Sequence, residues 1–373
     1  MFLALQPQLR DAWQLSNTEA GWISSGYYAG YMLAVPVLAS LTDRIDARTV
    51  WLGSTSLAAA AVAGFGLTAN GIWTALLFQV LAGASLAGTY MPGLKLIADR
   101  LRAVPHPRYV AVYTTSFTVG ASLSFYWIGQ LVEVVSWRAA VASAAAGPAA
   151  AWLLMFSAVE PMPPVPTNSA VSHGRWREVL RSSDSVRYVL GYACHMWELF
   201  GVRAWLVTFL TFCATTQGGG TFAGAATLAA IIALVGIPAS LAGAELSARV
   251  DRRRLILVVM LLSAATSVAV GVSSAFNWGL ILLAAVIYSA LISADSAALT
   301  AGIVAVAPLE SRGTAMALYS TAGFAAASAG SAVVGRVLDL AGGESIRAWT
   351  IAFGVLGASN IVGAIVVGMG RRA

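Results

Sequence analysis

The stretch Ser40-Leu41-Thr42-Asp43-Arg44-Ile45-Asp46-Ala47-Arg48 returns 205 positions later as Glu245-Leu246-Ser247-Ala248-Arg249-Val250-Asp251-Arg252-Arg253. Each copy is a short basic turn between two long apolar runs. A repeat over this distance means one architecture used twice. Other pairs keep nearly the same offset. Gly129-Gln130-Leu131-Val132-Glu133 matches Gly335-Arg336-Val337-Leu338-Asp339, and Arg108 matches Arg312.

The apolar runs decide the solvent. Hydrophobic residues are 58% of the 373-residue chain and charged residues 10%, against about 25% charged in a soluble domain. Runs of roughly 20 residues cross a hydrocarbon core about 30 Å thick. A membrane barrel shows short alternating segments instead. The expected class is therefore an all-α membrane protein. Eleven spans are predicted: Ala20–Leu41, Val50–Thr68, Trp73–Ile97, Tyr109–Val132, Trp137–Ala158, Val186–Phe212, Phe222–Leu246, Leu255–Val272, Trp278–Ala301, Gly313–Leu338 and Ala348–Met369. Trp22, Trp73, Trp137, Trp278 and Trp349 fall at or near span starts, where amphipathic rings settle at the interface.

Arginine sets the orientation. One series of loops holds Arg44 and Arg48, Arg100, Arg102 and Arg108, Arg175 to Arg187, Arg249 to Arg254, Arg312, and Arg371 with Arg372. The alternate loops hold little beyond Arg10 and Arg347. The positive-inside rule puts the first series, and the C-terminus, in the cytoplasm. The longest loop, 159–185, is proline-rich and then basic. It is either a solvated linker or, over Arg175–Arg181, a short amphipathic helix on the inner leaflet. It divides the chain into an N-terminal bundle (1–158) and a C-terminal bundle (186–373).

Run backward, the repeat offset places the counterpart of Val186–Phe212 at the very start of the chain, where only Met1–Pro7 answers it. Five spans plus a stub are therefore expected in the first half and six in the second. A first helix upstream of Met1 is expected from this count.

Six plus six helices, a long central loop and a duplicated basic turn resemble the major facilitator superfamily of secondary transporters. Asp43-Arg44-Ile45-Asp46-Ala47-Arg48 is similar to the family signature Asp-Arg-x-Gly-Arg-Arg, with Asp46 where glycine is usual and Ala47 where a basic residue is common. Gly83-Ala84-Ser85-Leu86-Ala87-Gly88-Thr89-Tyr90-Met91-Pro92-Gly93 resembles the family's glycine-rich fourth helix, with Gln79 at the usual arginine. The run Gly120–Gly129 lacks the proline of the drug–proton antiporters. Both departures point away from a proton-driven drug exporter. His195–Trp205 and Ala294–Thr300 resemble a bacterial branch whose substrates are mostly unassigned. The resemblance implies transport of a small organic solute across the bacterial inner membrane, driven by a proton or ion gradient, with alternating access around a midplane site. The rival is a non-transporting relic or regulatory membrane protein, motivated by the short first half.

Ionisable residues deep in a span face a cavity or a partner. Glu198 is 12 residues into its span, and His195 is three residues earlier on the same face. The two exchange a hydrogen bond or proton, or they form a polar knot that fixes packing. Arg203 either binds an anionic group with its planar fork or snorkels to the outer interface. Asp295 is a cation or proton site, a counter-ion to Arg203 or to an amine, or a structural pair. Lys95 reads as snorkelling. In the resembled family the basic turn latches the two halves. That implies a gate built on Asp43, Arg44 and Arg48, with Asp99 and Arg108 as partners and Arg249, Asp251 and Arg253 in the second copy. Ala248 stands where Asp43 has its acid, so such a latch is asymmetric. The alternative is topology alone, with the arginines holding the loop inside. The small residues around Gly323 and Gly330 read as close helix contacts.

Several functions are excluded. His106, His173 and His195 are too scattered for a metal site, and no Gly-x-x-x-x-Gly-Lys phosphate loop occurs. No enzyme, cofactor or metal is expected. The arginines form no single basic face, so nucleic acid is not a partner. Cys194 and Cys213 sit 19 residues apart on one helix, about 28 Å, too far to bond.

Overall fold

A computed structural model describes residues 1–100, 106–163, 176–217, 222–307 and 311–369, without the side chains of 98, 106–111, 114, 222 and 223. Arg102, Arg175, His173, Arg371, Arg372 and the side chain of Arg108 lie outside the described residues. The described residues fold into fifteen helices and no strand. The first part of the chain forms α1 (Phe2–Ala12), α2 (Asn17–Leu41), α3 (Ala47–Thr68), α4 (Ile72–Arg100), α5 (His106–Leu131), α6 (Trp137–Ala144) and α7 (Ala146–Ala158). After the long loop come α8 (Trp176–Arg181), α9 (Ser183–Thr216), α10 (Phe222–Arg249), α11 (Arg252–Ser273), α12 (Trp278–Ala294), α13 (Ser296–Val306), α14 (Arg312–Leu340) and α15 (Ile346–Gly368).

Among the described residues, nine helices or collinear helix pairs are long and apolar enough to cross a membrane. The two other predicted spans are the continuous helices α2 and α5, of 25 and 26 residues. Two predicted spans are broken. Trp137–Ala158 divides at Ala145, three residues before Pro148, whose ring nitrogen cannot donate to the previous turn. Trp278–Ala301 divides at Asp295 and continues to Val306. Near residue 1 the chain forms α1, 11 residues long, with Phe2, Leu5 and Leu9 fully buried.

The repeated turn has a local cause. Asp46 caps α3, accepting the Arg48 N–H at 2.9 Å, and Asp251 caps α11, accepting the Arg254 N–H at 2.7 Å. The aspartate that departs from the family signature is a helix cap in both copies. Ser16 and Glu19 form a capping box on α2.

Glycine lets the helices of the first half touch backbone to backbone. A Cβ on Gly83 of α4 would sit 1.8 Å from the Tyr27 carbonyl oxygen of α2. On α9, Trp205 is buried and its indole N–H donates to the Ser331 carbonyl of α14 at 2.9 Å. Trp22 and Trp73 are exposed. Trp349 is a correction to the interface-ring reading. It is 1% exposed and packs edge-on against Trp205 and Phe209, because α15 turns that face toward α9.

The two ends of the molecule differ. The turns between α2 and α3 and between α10 and α11 mark the basic end. At the opposite, far end the halves are zipped together along α2 and α14. Asp339 of α14 accepts from the backbone N–H groups of Asn17 and Thr18 at 3.1 and 2.8 Å, and from their side chains. One turn inward, a Cβ on Gly335 would sit 2.1 Å from the Asn17 carbonyl oxygen. Ser25 Oγ donates to the Ser328 carbonyl at 2.6 Å, and Ser328 Oγ returns a bond to the Ser25 carbonyl at 3.2 Å. Beside this zipper Arg10 of α1 pairs with Glu344. Burial pushes the Glu344 carboxyl above its ordinary value, against the opposing pull of Arg10. A second contact joins Gln130 of α5 to Thr227 of α10 at 3.0 Å.

Candidate functional site

The zipper ends inward on aromatic rings. Tyr31 of α2 stacks on Phe324 of α14 with centroids 3.8 Å apart, and Tyr28 leans on Phe200 of α9 at 4.7 Å. From this floor a cavity of about 640 Å³ extends toward the basic end. Tyr90 and Phe117 line it from the first half, and Arg203, Ser240, Thr300 and Val304 from the second. Thr300 and Val304 belong to α13, the segment that Asp295 separates from α12.

Arg203 reaches this cavity rather than an interface. Its guanidinium carbon lies 5.4 Å from the Phe200 centroid and 5.8 Å from that of Phe117, within cation–π range. Its nearest polar contact is Thr118 Oγ1, at 3.5 Å. Among the described residues it makes no ion pair with a carboxylate. The counter-ion role considered for Asp295 toward Arg203 is not seen.

Asp295 pairs instead with His195. His195 Nδ1 lies 2.8 Å from Asp295 Oδ1, with both side chains buried. The distance is that of an ion pair, but the contact lacks the alignment of a hydrogen bond, and both atoms have no hydrogen-bond partner. His195 also lines the cavity and stacks at 5.8 Å on Tyr192, which stacks on Tyr319. Asp295 stands where α12 gives way to α13.

Glu198 is not bonded to His195. Its partners are Ser263 of α11, Tyr288 of α12 and Asn360 of α15. Residues three apart share a helix face, but here α13 takes one of them and the α11–α15 side takes the other. Spacing within one helix does not register which neighbour lies on each flank.

The predicted latch residues bond as follows. Arg48 donates to the Phe156 carbonyl at 2.8 Å and lies over the Phe156 ring. Asp46 also accepts the Met162 N–H at 3.0 Å. Asp99 pairs with Lys95 one turn back at 3.3 Å, so Lys95 has an ion-pair partner. Arg249 pairs with Glu245 on its own helix, and Asp251 caps α11. Arg253 pairs with Asp184 at the start of α9 at 3.1 Å. Arg44 is exposed, and Asp43 lies in the same turn. Arg48, Asp99, Arg249 and Asp251 thus bond within their own halves.

The far-end seal was missed by sequence reasoning. Two signals pointed to it: Asp339 sits in the second copy of a repeat, and Arg10 is one of the few arginines on the arginine-poor side. The polar shell of Glu198 was missed too. Asn360, a lone amide midway along an apolar span, was its signal.

The sequence profile of the Major Facilitator Superfamily matches residues 1–225. The chain belongs to that superfamily. Its members carry solutes across membranes. One curated relative, the probable sphingolipid transporter spinster homolog 2 of Arabidopsis thaliana, is 27% identical over 133 residues. That match spans 35% of this chain and 27% of the relative's length. Among solved structures, a bacterial homolog of the human lysosomal transporter Spinster, inward-facing and occupied, superposes with a TM-score of 0.74 at 16% identity, over 99% of this chain and 90% of that one. The nucleoside transporter NupG superposes with a TM-score of 0.74 at 14% identity, over 99% and 94%. These likenesses establish the major facilitator fold.

Proposed function

We propose that the chain is a gradient-driven transporter of a small organic anion with an apolar body, working by alternating access between its two halves. The observation that carries this reading is Arg203. It is a guanidinium in the wall of the cavity between the halves, flanked by two phenylalanine rings and free of any carboxylate partner among the described residues. A fixed, desolvated cation of this kind attracts a phosphate or carboxylate, and its planar fork holds one bidentately. The rings and the apolar side chains of Leu86, Leu241 and Val304 suit a hydrocarbon portion. His195, at the cavity wall, and Asp295 behind it complete the solute pathway. The sphingolipid transporter among the relatives handles molecules with such a body, so a phosphorylated amphiphile is the first class to try.

The arginine-rich loops support a topology with the basic end, the C-terminus and the cavity mouth on the cytoplasmic side of a bacterial inner membrane. In this state the solute site faces inward. The basic turn at Asp43, Arg44 and Arg48, with Asp99 and Arg108 and their counterparts Arg249, Asp251 and Arg253, closes that mouth in the opposite state. The relic reading is disfavoured by a cavity lined from both halves and sealed at one end.

The test is thermal stabilisation of the purified protein by a phosphorylated sphingoid base, its unphosphorylated parent and uridine. A stabilisation specific to the phosphorylated compound, lost in Arg203→Ala, is expected. Equal shifts with the parent amine, or with the Arg203→Ala protein, reject the anion site.

A further inference from the structure

Glu198 lies in a chamber that the cavity lining does not include. It is fully buried, and four helices of the second half meet around its carboxyl. Ser263 Oγ donates to Oε2 at 2.8 Å, the Tyr288 hydroxyl donates to Oε1 at 3.0 Å, and Asn360 Nδ2 donates to Oε2. No Lys, Arg or His among the described residues forms an ion pair with it. Asn360 is itself 1% exposed, and its Oδ1 has no hydrogen-bond partner.

An ionised carboxyl only accepts hydrogen bonds, and a protonated one also donates. The three donors serve the ionised form and leave one buried acceptor unanswered. Turning the Asn360 amide by half a turn brings Oδ1 to the place of Nδ2, where it accepts an O–H from Glu198. The two ends of an amide differ in hydrogen bonding but hardly in shape. The same four side chains therefore have a bonded arrangement for each protonation state. A buried acceptor without a donor is costly, so its presence calls for a role.

We propose that Glu198, with Ser263, Tyr288 and Asn360, is a proton-binding site enclosed within the second half and separate from the solute cavity. The proposal rests on the reading of a gradient-driven transporter and names its coupling site. The titratable or charged groups around the carboxyl are His195 and Arg203 on α9, Tyr288 on α12, and Asp295 where α12 meets α13. Tyr192 and Tyr319 stack beyond His195, while α11 and α15 present the neutral Ser263 and Asn360. His195 lines the cavity one helical turn from Glu198, so water in the cavity lies about one turn from the site. Uptake moves a proton from that water to a Glu198 oxygen and release returns it. No other bond forms or breaks. Because Glu198, Ser263, Tyr288 and Asn360 stand on four different helices, a change in the carboxyl's charge acts on the packing of the whole half.

The proton is read directly by infrared difference spectroscopy of the full chain in lipid vesicles, stepped from acid to alkaline pH with no solute present. The expected result is that, within the protonated-carboxyl carbonyl signal that fades as pH rises, one component is missing in Glu198→Gln and persists in Asp295→Asn and in Glu344→Gln. In Tyr288→Phe that component moves to higher wavenumber, because one hydrogen bond to the carboxyl is gone. A carboxyl signal that Glu198→Gln leaves unchanged, or whose missing component Asp295→Asn removes as well, overturns the proposal. If Glu198→Gln does not fold, Tyr288→Phe decides, and an unmoved signal overturns it. A sodium-dependent signal in place of the pH-dependent one overturns it as well. The anion reading of the cavity stands or falls separately, since these spectra contain no solute.

Discussion

Asp339 Oδ2 accepts the backbone N–H of Thr18 at 2.8 Å, which makes a residue at the end of α14 the cap for the start of α2. The first N–H groups of a helix have no partner within it. In α2 two of them are satisfied from the other half of the molecule, and the helix dipole adds to the attraction. This bond exists only while the far end is closed.

Removing the carboxylate should open that end. Asp339→Ala should shift the balance by about 1–2 kcal/mol, roughly five- to thirtyfold in the open-to-closed ratio. Spin labels at Gln14 and Arg347, in a protein with Cys194 and Cys213 replaced, should report a longer distance. An unchanged distance distribution contradicts the cap as a seal.

Gly335 supplies an independent handle. A Cβ there meets the Asn17 carbonyl oxygen at 2.1 Å, whereas one at Gly313 meets nothing within 4 Å. Gly335→Val should hold the far end open and raise the reactivity of a cysteine at Ser25 toward a water-soluble thiol reagent. Gly313→Ala should leave that reactivity as it is. Protection of Ser25→Cys in both variants would falsify the close approach.

The pair Arg10–Glu344 behaves differently from its partner bond. Burial outweighs Arg10's pull on Glu344, so the protonated carboxyl suits the closed far end better than the ionised one. The closed state therefore loses stability as pH rises from the ordinary glutamate value through the raised one. Glu344→Gln should close at least as well as the parent and flatten that dependence. Arg10→Gln leaves Glu344 without its cation and should open the far end most at high pH. The same label pair, read across pH, checks both.

The two capping aspartates should differ in weight. Asp251→Ala removes one cap bond and should cost about 1 kcal/mol in thermal stability. Asp46→Gly restores the family residue, yet it loses the Arg48 cap and the Met162 tie that fastens the chain after α7. It should cost more. Thermal melts in detergent that rank the variants the other way contradict this account.

Much of the fold was legible because membrane helices are written locally. A run of about 20 apolar residues spans a bilayer whatever lies beside it. The repeat at Asp43 and Ala248 then exposed the two halves. The helix breaks were not legible in the same way. Pro148 marks one, but Asp295 carries no breaking residue type. Its kink goes with a contact to His195, 100 positions away in the chain.

The candidate site was half legible. The chain alone singled out His195, Glu198, Arg203 and Asp295, because ionisable groups are rare in such spans and costly there. It paired His195 with Glu198 by spacing and offered Arg203 as one of several partners for Asp295, whereas the structure sets His195 beside Asp295 and Glu198 among neutral donors. Sequence by itself determined the class of protein, the duplicated halves and the few ionisable groups inside the spans. Tertiary structure alone decided who meets whom: Arg203 among rings, Glu198 among three neutral donors, Asp339 on the start of α2. The physical reason is that helix formation depends on neighbours three and four positions away. Pairing between helices depends on which faces pack, and small residues such as Gly83 and Gly335 set that only when the partner backbone is present.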